Sequence, residues 1–187
     1  MKVLGITGSL RSDSHNQRLL RAAAARLPPE VEFTEFTGLK AIPPFDEDDE
    51  PAPGPAVERW REAITGADAL LFATPEYNSS IPGVLKNAVD WASRPFATTV
   101  LKNKPAAVLG ASTGMFGAVW AQAELRKALA AAGARVIDSE LPVGDAENAF
   151  NDDGTLSQHD QTLVLGELLG ELVAETTAHL AARSSPA

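Results

Sequence analysis

The chain opens with Val3-Leu4-Gly5-Ile6-Thr7-Gly8-Ser9-Leu10-Arg11-Ser12-Asp13-Ser14-His15-Asn16. Val3–Ile6 is a short apolar run of the kind a buried strand shows. Behind the loop, Leu19, Leu20, Ala23, Ala24 and Leu27 recur at helical spacing. Thr7–Asn16 therefore joins the end of a first strand to the start of a helix. In such a loop the backbone N–H groups and the helix N-terminus point at one small volume and favour an anion there. Gly8 lets backbone approach a ligand. Ser9, Ser12 and Ser14 offer hydroxyls, Asn16 an amide, and Arg11 a planar cation suited to phosphate oxygens. Ser14 and Gln17 also have capping-box spacing, so part of the loop is explained by a helix cap alone. Arg11 and the remaining hydroxyls are not.

No G-x-x-x-x-G-K-[ST] occurs, which speaks against a Walker triphosphatase, and no G-x-G-x-x-G, the usual dinucleotide fingerprint. A site of hydroxyls and one Arg suits a permanently anchored monophosphate.

Working outward, strand and helix patterns alternate. Val31–Phe36 alternates apolar and polar residues and reads as a strand. Ala56–Ile64 has helical spacing. Ala69–Thr74 and Pro105–Ala111 are continuous apolar runs, as central parallel strands are. Between them, Pro82 opens a helix reaching about Ala92. A further helix runs to about Ala132, where Gly133 stops it. Arg135–Leu141 reads as a fifth strand. The last helix spans about Gln158–Ala182, with a stripe at Leu165, Leu168, Leu169 and Leu172. This alternation predicts an α/β, doubly wound parallel sheet with helices on both faces, in one domain over residues 1–183, and a fraying tail at 184–187. Such sheets bind ligands at the carboxyl ends of their strands, where strand order reverses. The loops after the first, third and fourth strands are therefore the informative ones.

At 187 residues the chain is long enough for one sizeable core. A net charge of −9 argues against partners that need a basic surface, so neither nucleic acid nor an anionic membrane is expected. There is no cysteine, which removes disulfides, thiol catalysis and Cys-ligated zinc. His15, His159 and His179 lack metal-ligand spacing and read as surface residues, so no metal site is expected. No segment has membrane-spanning length and no signal-peptide pattern precedes the first strand, so a cytoplasmic protein is expected. The acidic run Asp46-Glu47-Asp48-Asp49-Glu50 reads as a solvated loop, with the rim of a substrate entrance as the alternative.

The third-strand loop holds Pro75, Glu76, Tyr77 and Asn78, stiffened by Pro75 and Pro82. Its backbone N–H groups can meet the edge of a flat heteroaromatic ring, and Tyr77 can lie against the ring face. A plain turn with a surface Tyr is the alternative.

Gly8–Asn16 taken together with Pro75-Glu76-Tyr77-Asn78-Ser79-Ser80-Ile81-Pro82-Gly83-Val84-Leu85-Lys86-Asn87-Ala88-Val89-Asp90-Trp91 strongly resembles the NADPH-dependent FMN reductase family, the flavodoxin-like group that includes NAD(P)H quinone and chromate reductases. The resemblance implies a flavodoxin-like five-stranded sheet in order 2-1-3-4-5 and FMN as cofactor, with NADPH or NADH as electron donor. Ser9, Arg11, Ser14 and Asn16 would hold the FMN phosphate. Pro75, Glu76, Tyr77 and Asn78 would flank the isoalloxazine, and Ser112 and Gly114 would touch the flavin from the third loop. The implied activity is reduction of quinones, flavins or similar small acceptors, azo dyes and chromate among them, by a ping-pong scheme. A flavin carries such chemistry itself, so no catalytic residue is named; Tyr77 and Asn78 are candidates to orient the substrate.

The sequence departs from the family pattern at Ala118 and Trp120, where quinone and chromate reductases of this group often carry a Gly and an Arg. That Arg can belong to a tetramer contact, so the expected assembly is a homodimer, with a tetramer as the alternative. The last-helix Leu stripe and an expected exposed Trp91 support the dimer. Two other functional readings stand beside this one: a flavodoxin-type electron carrier serving protein partners, and a non-flavin module that binds a phosphorylated ligand.

Overall fold

The computed structural model describes residues 1–184. Five parallel strands, β1 (Lys2–Thr7), β2 (Glu32–Phe36), β3 (Ala69–Thr74), β4 (Pro105–Ala111) and β5 (Arg135–Val143), form one sheet in the order β2-β1-β3-β4-β5. The flavodoxin-like order expected from the resemblance is the order found. The chain turns one way from β1 to β2 and the other way from β3 onward, so the reversal lies between β1 and β3.

Helices α1 (His15–Ala24) and α5 (His159–Ser184) cover one face of the sheet. Helices α2 (Pro55–Gly66), α3 (Gly83–Ala92) and α4 (Val119–Ala131) cover the other. Each face has its own apolar core. Trp60, Ile64, Leu85, Trp91, Leu125 and Leu129 pack on one side. Leu19, Leu20, Leu165, Leu168, Leu169 and Leu172 pack on the other. Every residue of β3 and β4 is buried, as strands covered on both faces must be.

The structure corrects several sequence expectations. Trp91 is not exposed: it is fully buried, its indole N–H donates to the Pro43 carbonyl (2.8 Å), and its ring meets Phe45 edge-on. The leucine stripe of α5 is likewise core, not a free face. Both grounds for a dimer based on them fall away. Ser184 is the last residue of α5, two residues beyond the expected end, and 185–187 lie outside the described residues.

β5 runs to Val143, past the expected Leu141. Its pairing with β4 slips between Ala106↔Val136 and Val108↔Glu140, so β5 carries extra residues in a bulge. Arg126 closes over this bulge, donating to the Asp138 carbonyl and pairing with Glu140 (2.7 Å). In the acidic run Asp46–Asp49 are exposed and Glu50 is half-buried, and Asp46 caps the short 3-10 turn Glu47–Asp49 through the Asp48 N–H. Among the described residues no helix is long and apolar enough to cross a membrane.

Candidate functional site

The three loops at the carboxyl ends of β1, β3 and β4 meet around one cavity of about 280 Å³. Ser9, Arg11, Ser14, His15 and Asn16 form one wall. Pro75, Glu76 and Tyr77 form the second, and Ala111, Ser112 and Thr113 the third, with Glu147 at the margin. Strand order reverses here, between β1 and β3. Asn78 and Gly114, both expected at the site, are not part of the lining.

The first loop is held in place from both sides. Gly8 N–H donates to the Ala73 carbonyl (2.8 Å), which ties the loop to the end of β3. A Cβ at Gly8 would lie 2.8 Å from a Leu85 methyl and 3.2 Å from Pro75 Cδ. Any larger residue here must displace the Leu85 side chain of α3 and press on Pro75 of the second loop. The Asn16 side chain is also turned inward. Its Nδ2 donates to the Ala111 carbonyl and its Oδ1 accepts from Ala111 N–H, both at 2.8 Å. Asn16 therefore clamps the first loop to the end of β4, and the free phosphate-binding amide expected from the sequence is engaged in this pair.

Ser14 is the N-cap of α1, and its Oγ accepts from Asn16 N–H (3.2 Å) and Gln17 N–H (3.4 Å). Gln17 does not complete a capping box, because its side chain reaches Glu35 instead. Ser9 Oγ accepts from Arg11 N–H (3.3 Å). Several polar groups around the cavity have no partner among the described residues. The N–H groups of Leu10, Ser12, Asp13 and His15 meet no protein acceptor, and Arg11 forms no ion pair among the described residues. His15 Nδ1 is buried with no hydrogen-bond partner. Its imidazole is held below the ordinary 6.5 by burial first and then by the charges of Arg11 and Arg18, with Asp13 and Glu147 acting in the opposite sense. A recess with orphaned donors, an unpaired guanidinium and a helix N-terminus is chemically complementary to a phosphate.

The second loop ends in a tight turn, Tyr77–Ser80, closed by reciprocal backbone bonds of 3.0 and 3.1 Å. Asn78 and Ser79 occupy its two left-handed positions (φ 53° and 58°), a conformation Asn tolerates better than most residues. Asn78 therefore shapes the turn, and Tyr77 stands exposed beside the cavity. The Glu76 carboxylate is engaged by α4: one oxygen accepts from Trp120 N–H and Ala121 N–H, both at 3.1 Å. These are orphan donors of the first turn of α4, whose own N-cap position is Ala118 in a left-handed conformation (φ 62°) with no side-chain cap.

The third loop follows the same logic. Gly114 offers its carbonyl to Ser112 Oγ (3.2 Å) and Asp145 N–H (3.3 Å), so it braces the loop from behind. Gly117 is left-handed (φ 57°), and a Cβ there would lie 2.4 Å from Val143 N, so only glycine fits the approach to β5. The buried Gln122 completes the brace, donating to the Gly117 carbonyl (3.0 Å) and accepting from Leu141 N–H (3.2 Å).

Sequence reasoning missed His15, Thr113, Glu147 and Gln122. His15 and Thr113 stood next to predicted site residues, and their adjacency to them was the available signal. Glu147 and Gln122 carried none. Tyr77 on the cavity wall and Met115, Phe116 and Trp120 beyond it make an exposed apolar rim, with the Phe116 and Trp120 rings 5.1 Å apart.

A family model described as NADPH-dependent FMN reductase matches residues 1–148, so it takes in all three loops. The chain belongs to that family. Among its relatives, an NAD(P)H-dependent FMN reductase of Pseudomonas aeruginosa is 50% identical over 159 residues, covering 83% of this chain and 84% of that protein. A 2-hydroxy-1,4-benzoquinone reductase of a Burkholderia species is 41% identical over 67% of this chain and 68% of its own length. Among solved structures, the flavoenzyme NAD(P)H:(acceptor) oxidoreductase FerB from Paracoccus denitrificans superposes with a TM-score of 0.83 at 34% identity, covering 95% of this chain and 98% of FerB.

Proposed function

We propose that this member of the NADPH-dependent FMN reductase family is an FMN-dependent NAD(P)H oxidoreductase that reduces quinones, flavins or similar small acceptors. The observation that carries this reading is the convergence of unpaired donors in the first loop on a cavity walled by Pro75–Tyr77 and Ser112–Thr113. Relatives named as FMN and quinone reductases support it. When bound, FMN supplies hydride acceptance and one- or two-electron release, which leaves the protein no nucleophile or strong acid to provide.

The residues supply binding and position. Ser9, Arg11, Ser14 and the free N–H groups of the loop hold the phosphate, with His15 Nδ1 beside them. Asn16 fixes the loop that carries these groups. Pro75, the Glu76 backbone and Tyr77 flank the ring system on one side, and Ser112 and Thr113 on the other. Asn78 and Gly114 act through the shapes of their loops. A terminal phosphate suits this recess, and no second nucleotide fingerprint is present, which selects FMN over FAD. Donor and acceptor then share one shallow site bordered by Tyr77 and the apolar rim. That site has few buried polar groups to reject a wrong acceptor, so acceptor choice is broad. The same rim supports a homodimer with the site at its edge.

Denaturing the reconstituted protein and chromatographing the released flavin tests the cofactor: FMN is expected, and FAD or no flavin refutes the reading. Double-reciprocal plots against NADPH at several quinone concentrations are expected to be parallel. Intersecting lines would show a ternary complex, in which the two substrates do not take turns.

A further inference from the structure

A second cavity, about 460 Å³ against about 280 Å³ for the three-loop recess, lies between α1, α5 and the 153–156 turn. Arg18, Arg21 and Arg26 line it together with Asp153, Leu156 and Leu165. Arg18 and Arg21 stand one turn apart on α1 and Arg26 follows just past its C-cap Ala25, and all three line this one cleft. In a protein with net charge −9, none of the three forms an ion pair among the described residues. The one carboxylate in the lining is already engaged: Asp153 accepts from Thr155 N–H (2.9 Å) and Thr155 Oγ1 (2.6 Å).

Two of the cations have neighbours that fix them. The Arg18 guanidinium lies 4.6 Å from the centre of the Phe150 ring. Arg26 reaches over α5 at Gly166, where a Cβ would come within 3.6 Å of its Nη2. Three cations against one anion leave two net positive charges, which match a dianion. The floor beneath them, Ala22, Ala25, Leu156 and Leu165, is apolar. A small inorganic anion would leave that floor uncovered. A phosphate monoester with a flat body fills both parts, and the cleft has the volume of an ordinary small-molecule site. Guanidinium groups also stack on heteroaromatic rings.

We propose that the cleft between α1 and α5 binds an adenosine phosphate, with Arg21 and Arg26 taking the phosphate and Arg18 with the Leu156–Leu165 floor taking the base. Two sources present this chemistry: a free nucleotide, and the 2′-phosphoadenosine end of NADPH. The second source rests on the proposed NAD(P)H activity; the first does not.

The test is calorimetric titration of the FMN-loaded protein with AMP, adenosine and inorganic phosphate, repeated on the Arg21→Ala/Arg26→Ala double variant. Neither residue touches the three-loop cavity, so flavin content and quinone turnover at saturating NADH are expected to be unchanged. AMP is expected to bind at one site and to weaken about tenfold or more in the variant, the scale of a lost charge-assisted contact. Adenosine and inorganic phosphate are each expected to bind more weakly than AMP. If the NADPH tail is the source, the variant raises KM for NADPH and leaves KM for NADH alone. If a free nucleotide is the source, AMP binding weakens while both KM values hold. AMP that fails to bind, or that binds parent and variant equally, overturns the site. Phosphate that binds as tightly as AMP overturns the nucleotide assignment. Because AMP binding is read by heat, it stands or falls independently of flavin chemistry.

Discussion

At the residue scale, side chains around the recess divide into those that face it and those that hold the loops. Arg11 faces it, exposed and with no ion-pair partner among the described residues. Arg11→Ala is expected to raise the FMN dissociation constant about tenfold, the lower end of a charge-assisted contact for a solvent-exposed guanidinium. The melting temperature of the flavin-free protein is expected to stay put, because no internal contact is lost. An unchanged constant in a fluorescence titration would mean that Arg11 does not touch the phosphate. His15 yields a pH prediction. Burial first, then Arg11 and Arg18, depress its pKa below 6.5, so the fold favours the neutral ring. The unfolded chain therefore binds more protons below that value, and stability is lost as pH falls from about 6.5 through the folded-state pKa. His179 shifts in the same direction, also by burial first. Melting temperatures of the flavin-free protein between pH 7.5 and 5.5 are expected to fall less for His15→Gln than for the parent. Equal slopes would show that the ring does not feel its surroundings.

At the element scale, the loops are organised by bonds from one loop to another. Glu76 caps α4, and Ser80 Oγ donates to Glu124 of the same helix, so the second loop is attached to α4 at two points. Glu76→Ala removes the acceptor for two orphan N–H groups. A lost cap costs about 1 kcal/mol, which in a domain of this size lowers Tm by roughly 2–4 °C. Glu76→Gln keeps a carbonyl oxygen and is expected to recover most of that loss in the same thermal scan. If Glu76→Ala melts with the parent, the cap contributes nothing. Element boundaries were legible wherever burial dictated composition. β3 and β4, covered on both faces, read as unbroken apolar runs and were located to the residue. β5, at the sheet edge, was placed two residues short because its bulge and Arg126 brace depend on partners distant in sequence.

At the scale of the whole molecule, several large apolar side chains near the recess stay exposed among the described residues. Tyr77 lines the recess, Phe116 and Trp120 pair just past its third loop, and Met115 is 81% exposed. If this rim is the contact of the proposed homodimer, Trp120→Glu places a charge where two apolar rims meet. It is expected to shift the protein to monomer in light scattering and to lower quinone turnover while FMN remains bound. A parent that is monomeric at working concentration refutes the dimer, and a dimer that survives Trp120→Glu places its contact elsewhere.

The sequence by itself determined the class and order of elements, because apolar periodicity and run length report whether a segment is covered on one face or two. It also pointed to the recess, because Ser9, Arg11 and Ser14 lie within one short loop that follows a strand, so short-range geometry alone directs them at one volume. Tertiary structure decided which way the remaining side chains turn. Asn16 faces Ala111, Glu76 faces α4, Trp91 faces Pro43, and the α5 leucines face the sheet. Each of these polar or apolar groups had an equally plausible outward orientation in the sequence. The choice follows from which distant backbone donor, acceptor or apolar surface arrives beside it, and buried polar groups and apolar faces are stable only when so partnered.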